Sequence, residues 1–156
     1  NHTVIIQTRN IYKSVLSLRD FIIRHNMSKP NPWVQWDYDK YNEKELLKLL
    51  IYYYVPFHVN FVKSWYENKI KGRKIFINYE NFVKDPKKIF NEIFLDEEKD
   101  FIIIPDLKKI DKQKINYNVG LMRKNNLDDD EKKLIDEIVD VNLKYSNSLI
   151  KDIIYQ

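Results

Sequence analysis

The stretch that decides the fold is "TVIIQTRNIYKSVLSLRDF", residues 3–21. Its beginning, residues 3–8, is short, apolar and β-branched, which is typical of a buried strand. A polar step follows, and residues 11–25 then carry apolar side chains at helical spacing. The stretch therefore predicts a strand that ends next to Arg9, followed by a helix that carries Ser17 two turns after its start.

A second strand and further helices follow the opening stretch. Residues 43–70 predict a long helical region that is broken or kinked near Pro56. Residues 74–79 predict the second strand, and Pro86 favours the first turn of the next helix. Strand, helix, strand and helix in this order predict an α/β fold, with a parallel sheet flanked by helices.

The last segment, residues 127–154, predicts a single helix. Asp128 followed by Glu131 is the pattern of a capping box at a helix start. Three apolar residues recur at helical spacing and are expected to face the core: Leu134, Ile138 and Val141. Because no internal repeat or low-complexity linker appears, residues 1–156 are predicted to form a single domain.

Composition narrows the class of protein. The chain has 156 residues, 44% hydrophobic and 32% charged, and no apolar run reaches the roughly 20 residues of a membrane span. Cysteine is absent, which excludes disulfides and thiolate metal sites, and the histidines match no metal-binding spacing. The first ten residues lack the basic region and cleavage site of a secretory signal. We therefore expect a soluble, cytoplasmic protein that binds no metal.

The net charge of +4 permits an anionic ligand. Only two glycines are present, Gly72 and Gly120, so these residues hold no glycine-rich phosphate loop. Arg9 provides another phosphate contact, because ligands of parallel sheets bind at the carboxyl ends of strands and a guanidinium grips phosphate bidentately. The following helix N-terminus and the hydroxyl of Ser17 would complete the site. The simpler alternative is that Arg9 pairs with a carboxylate such as Asp20.

Three motifs, in this order along the chain, resemble those of sulfotransferases that use 3′-phosphoadenosine 5′-phosphosulfate. The first is Arg9 before a helix that carries Ser17, which resembles the family's 3′-phosphate-binding motif. The second is residues 62–94, where a tryptophan-containing helix leads to a strand ending at Tyr79. The third is "VGLMRKNNLDDDEKKLIDEI", residues 119–138, which resembles the family's C-terminal basic element.

The resemblance implies a P-loop-NTPase-like sulfotransferase fold that needs no metal. It implies transfer of a sulfuryl group from 3′-phosphoadenosine 5′-phosphosulfate to a hydroxyl or amine, which leaves 3′,5′-adenosine bisphosphate. It places five residues on the nucleotide: Arg9, Ser17, Arg123 and Lys124 at the 3′-phosphate, and Tyr79 near the adenine. The expected acceptor is a small molecule or carbohydrate, bordered by the aromatic residues within 33–41. On this interpretation neither nucleic acid nor a membrane is a partner, and self-association is left open.

The chain also departs from the family's pattern. The family's phosphate loop with its lysine, and its histidine base, have no counterpart here, and Met122 replaces the usual tryptophan. We therefore expect a sheet that is incomplete on its N-terminal side and no sulfuryl transfer by residues 1–156 alone. An alternative from another class is a non-catalytic module that binds nucleotides or single-stranded nucleic acid through basic and aromatic side chains.

Overall fold

A computed structural model describes residues 2–24, 40–94 and 126–156. In these ranges the chain forms a mixed α/β structure that is mostly helical, with two strands and six helices. They are β1 (His2–Thr8), α1 (Ile11–Arg24), α2 (Glu43–Glu67), β2 (Gly72–Asn78), α3 (Tyr79–Lys84), α4 (Pro86–Ile93), α5 (Asp129–Leu143) and α6 (Ser148–Tyr155). None of these helices is long and apolar enough to span a bilayer.

The chain divides into two compact units. The first comprises Asn1–Tyr79 and Leu127–Gln156, and the second comprises Glu80–Asn126. The first unit holds both strands and most of the helices, whereas the described part of the second unit is the remainder of α3 together with α4. Each unit is described by itself below.

Strands β1 and β2 form a parallel two-stranded sheet in the first unit, which confirms the predicted parallel pairing. The register pairs Thr8 at the end of β1 with Asn78 at the end of β2. Because both strands run in the same direction, the residues that follow them lie at one edge of the sheet. Those residues are Arg9 and Tyr79.

Gly72 opens β2 at a position where a side chain does not fit. Its φ is +148°, and a Cβ built there would lie 2.2 Å from the carbonyl oxygen of His2. His2 is also the register partner of Gly72 in the sheet. Pairing at the amino end of the sheet therefore requires a residue without a side chain, which explains one of the two glycines in the chain.

Helix α2 is the centre of the hydrophobic core of the first unit. It packs against α1, α5 and α6, and it contributes seven buried apolar residues: Leu46, Leu47, Leu50, Ile51, Val55, Val59 and Val62. The predicted break near Pro56 does not occur, because α2 is one helix from Glu43 to Glu67. Proline removes one backbone donor, but burial of Val55 and Val59 on either side stabilises the helix through it.

The C-terminal segment forms two helices rather than the single predicted helix. α5 ends at Leu143, and the side chain of Asn147 then caps α6 by accepting from the backbone N–H of Leu149 at 2.9 Å. The predicted capping box at the start of α5 is confirmed. The Asp128 side chain accepts from the Glu131 N–H at 2.8 Å, and the Glu131 side chain accepts from the Asp128 N–H at 2.9 Å.

The buried face of α5 differs from the predicted one. The buried residues are Ile135, Val139 and Leu143, whereas Val141 is 75% exposed. Leu134 and Ile138 lie partly buried against the same core. Val141 follows Val139 by two residues, which places it about 200° around the helix from a residue that faces the core. The expectation that Val141 is buried is therefore wrong.

The second unit contributes a short helical pair. Pro86 occupies the first turn of α4, as predicted, and Asp85 caps this helix by accepting a backbone N–H of its first turn at 3.0 Å. The Phe82 and Phe90 rings pack edge to face at 5.7 Å, and the Phe90 and Phe94 rings stack at 5.8 Å. These aromatic contacts join α3 to α4 across the Asp85 cap.

Candidate functional site

The candidate site is the corner at which both strands end. Arg9 follows β1, and Tyr79 follows β2 directly. The Arg9 guanidinium carbon lies over the Tyr79 ring, 4.8 Å from the ring centroid. A cation over an aromatic face is held by the ring's quadrupole. The prediction that these two side chains share one end of the sheet is therefore confirmed, and we call this pair the Arg9–Tyr79 corner.

Asn10 determines how α1 leaves the corner. Its side-chain oxygen accepts from the backbone N–H groups of Tyr12 at 3.1 Å and Lys13 at 3.3 Å. Its side-chain nitrogen donates to the carbonyl oxygen of Tyr155 at 2.7 Å. Asn10 thus caps α1 and ties it to the end of α6. Two N–H groups of the first turn of α1 therefore already have partners. The hydrogen-bond donors that the corner can offer to a ligand are mainly side chains.

The two strands end in buried polar residues. Thr8 is 3% exposed and Asn78 is 7% exposed, and these two residues are register partners. The hydroxyl of Thr8 donates to the carbonyl oxygen of Ile77 at 3.3 Å. Polar groups are costly to bury without partners, so this hydrogen bond helps the end of β1 to remain inside the protein.

Helix α2 carries a tyrosine and a histidine one turn apart, in contact with each other. The Tyr54 hydroxyl lies 3.4 Å from Nδ1 of His58, and the two rings are 5.7 Å apart. Burial raises the pKa of Tyr54, while a hydrogen bond with the Ser14 side chain and the positive charge of Arg9 act in the opposite direction. Tyr54 therefore interacts with Ser14 of α1, and the charge of Arg9 reaches it.

His58 is the most poorly satisfied polar residue of this region. It is 8% exposed, and burial lowers its pKa to about 4, so the ring is neutral at pH 7. Its Nε2 has no hydrogen-bond partner among the residues that the structure describes. Native proteins leave few buried polar atoms without a partner.

Ser14 of α1 interacts with α2, and no role was predicted for it from the sequence. It is buried at 6% exposure and interacts with Tyr54, whereas Ser17 is half-buried one turn further along α1. A signal for Ser14 exists in the sequence, because it lies between Ile11 and Val15 on the apolar face of α1. The predicted role of Ser17 at a phosphate stays a prediction.

The carboxylate that was the simpler partner for Arg9 belongs to another ion pair. Asp20 accepts from Nε of Arg19 at 3.0 Å and from Nη2 of the same side chain at 2.8 Å. The Arg19 side chain is 4% exposed and that of Asp20 is 26% exposed. Arg19 is thus the arginine that neutralises Asp20, and this pair is a structural feature of α1.

Several predicted site residues lie outside the described residues. They are Arg123 and Lys124, together with Trp33, Trp36 and Tyr38 of the aromatic segment. Tyr41 from the same segment is described, and it lines an open groove of about 360 Å³ together with Lys40, Glu45, Lys48, Leu49 and Tyr52. Within the described ranges, no group of three or more His, Asp or Glu residues is arranged to hold a metal ion.

The chain has no match among known proteins that would identify this corner. Comparisons with protein-family models, with curated proteins and with solved structures find no match. The functional argument therefore depends on the geometry of the Arg9–Tyr79 corner and on the chemistry of the residues around it.

Proposed function

We propose that the Arg9–Tyr79 corner binds the 3′-phosphate and adenine of 3′-phosphoadenosine 5′-phosphosulfate, as part of a sulfotransferase. The observation that carries this proposal is the guanidinium held 4.8 Å from the centroid of an aromatic ring where two parallel strands end. Parallel sheets bind ligands at this edge. A guanidinium suits a phosphate, and an aromatic ring suits a nucleotide base.

The spacing of charge and ring favours a phosphate close to the base. A 3′-phosphate is attached directly to the ribose ring that bears the adenine, whereas a 5′-phosphate is one methylene group further away. The short distance between the Arg9 guanidinium and the Tyr79 ring supports the first arrangement. When bound, the nucleotide would supply the sulfuryl group, and the residues of this corner would hold its opposite end. Ser17, Arg123 and Lys124 remain part of this proposal as further phosphate ligands.

The proposal includes a larger parallel sheet of the P-loop-NTPase-like sulfotransferase type. Two strands form the sheet in the described ranges, and Ile5 in β1 is 45% exposed. A parallel sheet usually has both faces covered, and a two-stranded sheet alone is only marginally stable. The exposed apolar side chain on β1 therefore supports completion of the sheet by further strands.

Calorimetric titration with 3′,5′-adenosine bisphosphate, compared with AMP, tests the proposal. We expect clear preference for the bisphosphate, and we expect Arg9→Ala to weaken its binding by about 1.5–3 kcal/mol, the range for a hydrogen bond to a charged group. Arg73→Ala is the matched control, because Arg73 pairs with Thr3 near the opposite end of the sheet. This variant removes the same charge, and it should leave the affinity unchanged.

Two results would contradict the proposal. Equal affinity for AMP and for the bisphosphate would show that the corner does not recognise a 3′-phosphate. Tight binding of a single-stranded oligonucleotide, competed poorly by the bisphosphate, would favour the non-catalytic nucleic-acid-binding module instead. Its affinity should then fall steeply as salt concentration rises, because phosphate contacts release counterions.

A further inference from the structure

Helix α2 exposes an aromatic surface on the side that does not face the core. Four of its aromatic side chains are between 38% and 61% exposed: Tyr52, Tyr53, Phe57 and Phe61. From Leu49 to Val62 the helix contains no Asp, Glu, Lys or Arg. The outer face of a helix is usually polar and charged, whereas the centre of a protein interface is rich in aromatic residues and poor in charge. This part of α2 therefore has the composition of an interface.

Three of the four side chains form one continuous row, Tyr53, Phe57 and Phe61, which we call the aromatic ridge. They are four residues apart, and residues at that spacing are neighbours on the surface of a helix. The Phe57 ring also packs against the ring of Tyr54, with the two centroids 6.4 Å apart. This contact helps to fix the direction of the central side chain of the ridge before any partner binds.

The spacing of the ridge is symmetric about Phe57. A two-fold axis beside this residue would place two copies of α2 antiparallel, with Phe57 against Phe57 of the second copy and Tyr53 against Phe61 of the second copy. Symmetric dimers use one surface patch that is complementary to itself. Each of these contacts would join two aromatic rings, and such pairs attract each other beyond the effect of buried area.

The exposed area is sufficient for a weak dimer. A Phe or Tyr side chain buries about 150–250 Å², so at their exposed fractions the four side chains present about 400 Å² on each copy. Two copies would remove about 800 Å² of aromatic surface from water, to which the exposed Asn60 and Ser64 of the same face would add. Specific interfaces begin near about 1,200 Å² in total.

We propose that two copies of this chain associate through the aromatic ridge, in a dimer that dissociates in the micromolar range. A membrane surface fits less well, because helices that lie on membranes carry Lys or Arg beside their apolar face and residues 49–62 contain neither. The inference does not depend on the proposed function, since no residue of the ridge belongs to the Arg9–Tyr79 corner.

Sedimentation equilibrium of the whole chain tests the dimer. We expect the average mass to rise from that of one chain, 19.1 kDa, toward twice this value as the concentration increases from micromolar to millimolar. Phe57→Glu sets two carboxylates against each other and should abolish the rise. Tyr145→Glu is the matched control, because Tyr145 is 90% exposed outside the ridge, and it should associate like the wild type. A mass of one chain at every concentration would overturn the inference, and binding of that monomer to anionic vesicles would favour a membrane surface instead.

Mixing two variants tests the symmetry axis. Phe57→Lys alone should also be monomeric, because like charges meet, whereas an equal mixture of Phe57→Glu and Phe57→Lys should dimerise, because opposite charges meet. The absence of dimers in the mixture would overturn the axis at Phe57.

Cross-linking tests the same axis without a charged substitution. The chain has no cysteine, so oxidation of Phe57→Cys can form a disulfide only between copies. We expect it to cross-link much faster than Tyr145→Cys at equal concentration. Equal rates for the two variants would contradict the proposed pairing.

Discussion

Two regions of the first unit place tyrosines beside a charged side chain, and they do so differently. In one region the hydroxyls of Tyr12 and Tyr155 both donate to the same carboxylate oxygen of Asp136, at 2.5 Å and 2.6 Å. We call this group the Asp136 clasp. In the other region, the Tyr79 ring lies against the cation Arg9, whose charge also reaches Tyr54. The clasp pairs two hydroxyl donors with one acceptor, whereas the Arg9–Tyr79 corner sets a cation against an aromatic ring.

This difference separates a structural cluster from a candidate binding site. The clasp joins α1, α5 and α6, and its two tyrosine rings also pack edge to face at 5.4 Å. Its hydrogen bonds are complete without any ligand. On α2, by contrast, Nε2 of the buried His58 has no hydrogen-bond partner in the described ranges. Polar groups that proteins leave incompletely satisfied are typical of functional positions.

The largest expected effect is on stability, from Asp136→Ala. This change removes the acceptor of two hydrogen bonds to a charged group, which we expect to lower the free energy of unfolding by about 3–4 kcal/mol. Urea denaturation measures the loss. Asp140→Ala is the control, because Asp140 pairs with Lys151 in an exposed ion pair that contributes little. If Asp136→Ala cost no more than the control, the clasp would not be the structural cluster described here.

Acid is expected to destabilise the protein through His58. Its folded-state pKa is lowered to about 4 by burial, below the ordinary value of 6.5. The unfolded state therefore binds the proton more tightly, so stability is fully present above pH 6.5 and is lost as pH falls toward 4. The loss amounts to about 3 kcal/mol once the pH is below 4, and to about 2 kcal/mol between pH 7 and pH 5. Denaturation at pH 7 and pH 5 measures that second loss, and His58→Leu should show a smaller change over this interval.

Alkali is expected to weaken the clasp through Tyr12. Burial, and then the hydrogen bond to Asp136 and its negative charge, raise the pKa of Tyr12 to about 12. The folded state therefore keeps a proton that the unfolded state releases near pH 10, so stability is lost as pH rises from 10 through 12. Because the side chain is partly exposed, we expect a loss of only about 1 kcal/mol. Denaturation at pH 9 and pH 11 should show a larger loss in the wild type than in Tyr12→Phe, where Tyr155 remains, whose pKa burial and Asp136 also raise.

Local patterns in the sequence predicted much of this structure. Strand-like segments before Arg9 and Tyr79, the Asp128–Glu131 capping box and the position of Pro86 each depend on neighbours a few residues away. The parallel order of the strands followed from the alternation of elements, and it placed Arg9 and Tyr79 together. These features needed no knowledge of how the helices pack.

Packing between distant segments decided the features that the sequence did not predict. Tyr54 interacts with Ser14 because α2 packs against α1, and nothing near either residue in the sequence indicates that contact. Burial in the same core keeps α2 continuous at Pro56, and the packing of α5 against it leaves Val141 exposed to solvent. Tertiary burial outweighs local propensity at each of these positions. For this reason the sequence identified the strand ends of the site and missed the contact between α1 and α2.

Asn10 couples the two regions, because it follows Arg9 in the chain and holds the backbone carbonyl of Tyr155. Tyr155 belongs to the clasp, so α6 is hydrogen-bonded to the residue that follows Arg9, the proposed phosphate ligand. Local opening of α6 would break the hydrogen bond from the Asn10 side chain to Tyr155 and loosen the neighbouring Arg9. By thermodynamic reciprocity, a ligand that orders Arg9 must then protect α6 from opening. Slower amide hydrogen exchange in the last helix would thus report occupancy of a site at the other end of the chain.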